Sequence, residues 1–141
     1  MRFGTASRRL LLLVARFRGR LPRVTRRSAR ETELLRGAKA RLDRLDLYPS
    51  PVRTRHVRVL STPWLFRVPG FRRFWGYEAG PLILVRRPLE QVSEDLVTHE
   101  LCHVWQDQHR RLRMWLSYLW QGYRLNEHEI AAREAVRRTR A

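Results

Sequence analysis

The apolar positions of this chain fall into stripes of helical period, separated by shorter alternating runs. Leu34, Leu35, Ala38, Leu42 and Leu45 recur at helical spacing, as one buried face of a helix requires. Ser28 stands three residues before Glu31, the capping-box spacing, so the helix is expected to start there and run to about Leu47. Tyr48-Pro49-Ser50-Pro51 ends it. Arg55–Leu60 alternates and predicts a strand, with His56 on the sheet surface. Ser61–Phe71, with its prolines, glycine and large apolar side chains, predicts a packed loop. Phe74–Glu78 and Leu82–Arg86 flank the turn Ala79-Gly80-Pro81 and predict a hairpin.

Pro88 and Ser93 lead into a helix expected to end near His109, with Leu96, Val97, Leu101, Val104 and Trp105 marking its buried side. Leu112, Trp115, Leu116, Leu119, Trp120 and Tyr123 then form a continuous stripe, expected on a second helix and read as core. Gly122 lets the chain turn, and Asn126 is a good N-cap for a final helix over about Glu127–Thr139. The expected fold is α+β: a small antiparallel sheet of two or three strands on three or four helices.

Composition adjusts this picture at the N-terminus. The chain has 141 residues and 43% hydrophobic content, enough for one domain with a modest core. Its net charge is +17, and residues 1–30 supply +10 of that through ten arginines and no acid. Residues 1–30 are therefore expected to be a basic arm, disordered or lying on a membrane surface, and 31–141 a single domain. The arm invites a nucleic acid or an anionic membrane surface as partner. Of the 30 basic residues only Lys39 is a lysine, a bias that a GC-rich genome also produces. The Leu10–Ala15 run is far short of the ~20 residues that span a bilayer. A cytoplasmic location is expected, with membrane association through the arm as the variant. Cys102 is the single cysteine, so no internal disulfide forms, and it reads as a small buried filler.

The candidate chemistry lies at His99-Glu100-Leu101-Cys102-His103, an H-E-x-x-H pattern. A shuffled chain of this composition would carry that pattern about once in a hundred. On a helix, residues four apart lie about 40° apart around the axis and about 6 Å apart along it, so both imidazoles can share one Zn²⁺. Glu100 points roughly 100° away from His99, a poor angle for a ligand but a good one for taking a proton from the attacking water. The bland alternative is a packed helix with two incidental histidines. The apolar flanks argue against it, because buried polar groups need partners and a metal supplies one.

A catalytic zinc usually takes three protein ligands. His109 has the metzincin spacing, but that geometry needs a glycine where this chain has Gln106, a good helix former. Glu129, on the final helix, is the stronger candidate, since Ala132 one turn on would allow close approach. The competing role for Glu129 is the acid of a capping box with Asn126, and Glu127 and His128 are lesser candidates.

His99–Gln106 together with Asn126–Arg133 resembles a group of small bacterial gluzincin-like proteins. Their pattern runs H-E-L-x-H-V-x-Q, an aromatic-rich helix, then N-P-[FY]-E-x-E-A. The resemblance covers residues 74–136, about half of the chain. It implies a minimal zincin core with zinc on His99, His103 and Glu129, and with Glu100 catalytic. Glu127 stands where that pattern has proline, and Ala131 where it has a second acid.

The expected function is a zinc metallopeptidase acting on a peptide or protein substrate, with Leu82–Arg86 pairing with the substrate as an edge strand. Tyr123 and His128 are the nearest candidates for an oxyanion donor. The alternative is a basic protein bound to nucleic acid or a membrane surface, with a non-catalytic zinc.

Overall fold

The computed structural model describes residues 26–46, 50–121 and 127–140, and of residues 110–121 it describes the backbone. Helix α1 covers Ala29–Asp43. Ser28 accepts the Glu31 N–H at 3.1 Å, as the capping-box spacing requires. The carboxylate of Glu31 turns away from the cap instead of completing the box. Its Oε1 accepts from the Val59 N–H and from Arg58 Nε, each at 2.8 Å, and its Oε2 from Arg58 Nη2 at 3.1 Å. This buried acid is fully satisfied and ties α1 to strand β1, Arg58–Ser61. The stripe residues Leu34, Leu35, Ala38 and Leu42 are buried, with Leu45 packed beside them.

β2 covers Gly76–Ala79 and β3 covers Leu82–Val85, joined through Gly80, whose φ of 62° suits a residue without Cβ. The sheet order is β1-β3-β2. β2 pairs antiparallel with β3 as expected. β1, however, pairs parallel with β3, so the sheet is mixed rather than wholly antiparallel. Parallel neighbours need a long connection: residues 62–75, with a short 3₁₀ turn at Leu65–Arg67, carry the chain from β1 to β2 at the far edge, and β2 runs back so that β3 starts parallel to β1. Phe66, Phe71, Phe74 and Tyr77 pack there with Leu84 on one face of the sheet. Val59, Ile83 and Val85 face the helices on the other.

Helix α2 is a single element from Glu94 to Gln121. This corrects the expectation of a break near His109. No glycine or proline interrupts residues 107–121, and arginine and leucine dominate the junction, so nothing stops the helix. α3 covers Glu127–Thr139. Buried Arg41 joins the three helices: it donates to Asp95 Oδ1 at 2.8 Å, to Thr139 Oγ1 at 3.1 Å and to the Val136 carbonyl at 3.2 Å.

The end of the stretch read as a basic arm is bound into this body. Arg27 donates to the carbonyls of Arg55 and Val57, and Arg30 to those of Leu89 and Val92. Residues 1–25, the Tyr48-Pro49 stop, the side chains of the Leu112–Tyr123 stripe, the Gly122 turn and the Asn126 cap lie outside the described residues. Among the described residues, no helix is long and apolar enough to cross a membrane.

Candidate metal centre

α2 starts where Ser93 Oγ accepts the Leu96 N–H at 3.2 Å. Val97, Leu101 and Val104 bury one side of it in the core. That anchoring turns His99 and His103 toward α3, their rings 4.9 Å apart. Glu129 reaches them from the first turn of α3. Its Oε1 lies 3.0 Å from His99 Nε2 and its Oε2 3.0 Å from His103 Nε2. Ligand atoms of all three residues lie within 4.8 Å of one another. Both carboxylate oxygens of Glu129 thus face the imidazoles.

The tautomer of His103 follows from its other nitrogen. The His128 carbonyl can only accept, so Gln106 presents its NH₂ there, at 2.9 Å. Gln106 Oε1 is then left for His103 Nδ1, at 2.8 Å. A neutral His103 therefore carries its proton on Nδ1 and offers the lone pair of Nε2. That nitrogen lies 3.3 Å from His99 Nε2, beside Glu129 Oε2, a buried oxygen without an aligned hydrogen bond. Acceptors converging on acceptors in a buried pocket require a positive charge between them. Two imidazoles and a carboxylate are a set that zinc prefers, so these residues fit the metal.

The same cluster also takes up a proton: once His103 carries one on Nε2 as well, it donates to Glu129, 3.0 Å away. Burial pulls the His103 imidazole down, but hydrogen bonding to Glu129 and the charges of Glu100 and Glu129 outweigh it and raise its pKa to about 9. Burial opposes ionisation of Glu129, yet hydrogen bonds from His103 and His99 hold it well below the usual carboxylate range. Glu100 is buried beside the trio and outside it. Burial pushes its pKa up, the histidine charges pull it down, and Glu129 pushes it up again. Gly76 lets β2 come this close to α2: a Cβ there would stand 3.1 Å from Glu100 Oε1 and 3.2 Å from Leu96 Cδ1.

The other candidates do not join. His109 bonds to Ser50 Oγ at 2.8 Å and to the Trp105 carbonyl at 2.9 Å, away from the trio. His128 contributes its backbone carbonyl, and its ring lies 3.6 Å from Glu127. Tyr123 lies outside the described residues. Cys102 is buried with its thiol pushed up to about 12, consistent with a packing role. β3 is the central strand, so Leu82–Arg86 is not an edge for substrate, and that expectation is corrected. The edge beside the site is β2.

Two residues of the site were given no role there in the sequence. Gln106 stands one turn after His103 and closes the pattern H-E-L-x-H-V-x-Q, and these were the available signals. Gln106→Ala is expected to lower zinc affinity about 10–100-fold, as the loss of an outer partner does. Competition against a chelating indicator would measure it, and unchanged affinity would remove Gln106 from the site. Glu78 on β2 faces the same region. Burial raises its pKa from 4.5 to about 7, with Asp107 and Glu100 pushing up and His103 pulling down. Its Oε1 is buried without a hydrogen bond.

For an acid whose folded pKa is raised, the folded state binds more protons than the unfolded one. Stability therefore falls as pH rises from about 4.5 to about 7. Glu78→Gln is expected to match wild type at pH 4 and to exceed it at pH 8 by up to about 3 kcal/mol. Urea denaturation in the presence of a chelator measures both, and an equal difference at the two pH values would refute it.

Compared with protein-family models, with curated proteins and with solved structures, the chain matches none. The resemblance to the gluzincin-like group therefore rests on residues 99–106 and 126–133 alone.

Proposed function

We propose that this protein is a zinc-dependent metallopeptidase that hydrolyses peptide bonds, with His99, His103 and Glu129 holding the metal and Glu100 as general base. The observation that carries this reading is the meeting of three ligand atoms from two helices, with Glu100 buried beside them but not among them. When bound, zinc would supply Lewis acidity toward the scissile carbonyl and lower the pKa of water in the site.

The chain's own residues divide the remaining work. Gln106 fixes the His103 ring and its tautomer. Glu100 takes the proton of the attacking water and returns it to the leaving amine. Burial suits it to both steps, because a carboxylate with raised proton affinity is a better base and holds the proton until the amine accepts it. β2, brought against Glu100 by Gly76, offers the sheet edge along which an extended peptide would pair.

The +10 charge of residues 1–30 supports contact with an anionic membrane surface or nucleic acid. The test is elemental analysis joined to a cleavage assay on an unfolded protein. About one zinc per chain is expected, together with cleavage that a chelator abolishes and zinc restores. Failure to take up zinc on titration would sink the proposal.

A further inference from the structure

A cleft of about 680 Å³ opens over His99 and Glu100, and its walls are rich in arginine. Arg133 and Arg137 stand at i and i+4 on α3, Arg140 follows directly past its end at Thr139, and all three line the cleft. Arg73, ahead of β2, lines it as well. The acids of the lining are Asp95 and Glu100. Asp95 is already shared, taking Arg41 at 2.8 Å and Arg140 at 2.5 Å, so one carboxylate meets two guanidiniums. Arg137 pairs with Glu134 on the exposed side of the same helix, an i,i+3 contact that an incoming anion readily exchanges. Arg133 has 52% of its side chain exposed and lies 3.5 Å from Glu129 Oε1, an oxygen already engaged by His99.

We propose that this arginine row selects peptides carrying a carboxylate close to the cleaved bond, either an Asp or Glu side chain or a free C-terminus. The inference deepens the peptidase reading and rests on it. Guanidiniums recognise carboxylates through paired N–H donors. Arg133 puts one such fork next to the metal ligands, and Arg137 and Arg140 continue the row outward. Trp75, 53% exposed between the guanidiniums of Arg86 and Arg87, adds an apolar surface at the cleft rim. A nucleic acid would also meet these groups. However, its unbroken run of phosphates would bring charge against Asp95 and Glu100, whereas a peptide spaces its carboxylates with neutral amides.

The experiment uses the full zinc-loaded chain carrying Glu100→Gln, so that peptides bind uncut. Dye-labelled acidic peptides are compared with Asn/Gln-matched ones and with C-terminally amidated ones. The acidic peptides are expected to bind at least tenfold tighter, with the preference weakening as salt rises. Arg133→Glu with Arg137→Glu should abolish that preference, and a matched peptide with Lys in place of each acid should then bind more tightly than it does to the parent chain. If amidation alone removes the preference, the recognised carboxylate is the C-terminus; if it does not, the side chain is recognised.

Equal binding of acidic and amide-matched peptides overturns the proposal, as does a preference that survives both reversals. An oligonucleotide of equal charge that binds more tightly, through the same two arginines, overturns it in favour of nucleic acid. Wild type cleaving neutral peptides as fast as acidic ones overturns it and leaves the peptidase reading intact. Acid-selective binding without cleavage of any peptide keeps the carboxylate site and overturns the peptidase reading alone.

Discussion

Glu129→Gln is expected to remove most of the zinc affinity while leaving helix content unchanged. The two oxygens of Glu129 lie 3.0 Å from two different imidazole nitrogens, so the carboxylate is committed to the site and not to the helix start. A glutamine of the same shape keeps one acceptor, loses the negative charge and turns an NH₂ toward nitrogens that need a cation. The loss should exceed the roughly 10–100-fold expected at Gln106, because a ligand goes rather than its support. A residue acting only as a cap would tolerate the change within a few tenths of about 1 kcal/mol. Zinc titration followed by circular dichroism separates the two roles. His109→Ala is the control and should leave zinc bound, since Ser50 and Trp105 are its partners. Loss of zinc in that variant and retention in Glu129→Gln would move the site.

Glu100→Gln should keep zinc and fold but lose about 10²–10⁴-fold in peptide hydrolysis, the range a positioned acid–base group supplies. The amide cannot take the water's proton. The substitution is unusually clean here, because burial already disfavours the charged form of Glu100 and a neutral isostere removes that strain. Thermal stability equal to or above wild type is therefore expected alongside the lost activity. A Glu100→Gln enzyme that still turns over at the wild-type rate would sink the assignment.

Most of the helical structure was legible because it rests on local chemistry, although the break expected near His109 is absent from α2. The Ser28 cap, the α1 stripe and the one-face placement of His99 and His103 all follow from spacing along a single helix. The bounds of α3 could be read for the same reason. The sheet was not legible to the same depth. Whether β1 joins β3 in parallel depends on how residues 62–75 cross the sheet, and a four-residue strand carries no mark of its partner. The misplacement of the substrate edge followed from that. The site divides in the same way. His99, Glu100 and His103 share one helix and could be named together. Glu78 could not be joined to them, because only strand order brings β2 against α2. Gln106 looked like an ordinary helix former until the His128 carbonyl stood within reach.

The placement of Glu129 on a separate helix has a consequence for how the chain holds itself together. An ion shared by His99, His103 and Glu129 would act as a cross-link, closing the loop formed by the 25 residues between His103 and Glu129. Closing a loop of that length restricts the unfolded chain by about 3–4 kcal/mol in the entropy model used for disulfides. That is a sizeable fraction of the ~5–15 kcal/mol that holds a typical domain folded. Cys102 can form no covalent staple within the chain, so this protein's strongest brace would be reversible. It would tighten α3 against α2 when metal is plentiful and relax it when metal is scarce, leaving the packing of Ala132 and Ala135 and the polar contacts of Arg41, Gln106 and Arg140 to hold the helix.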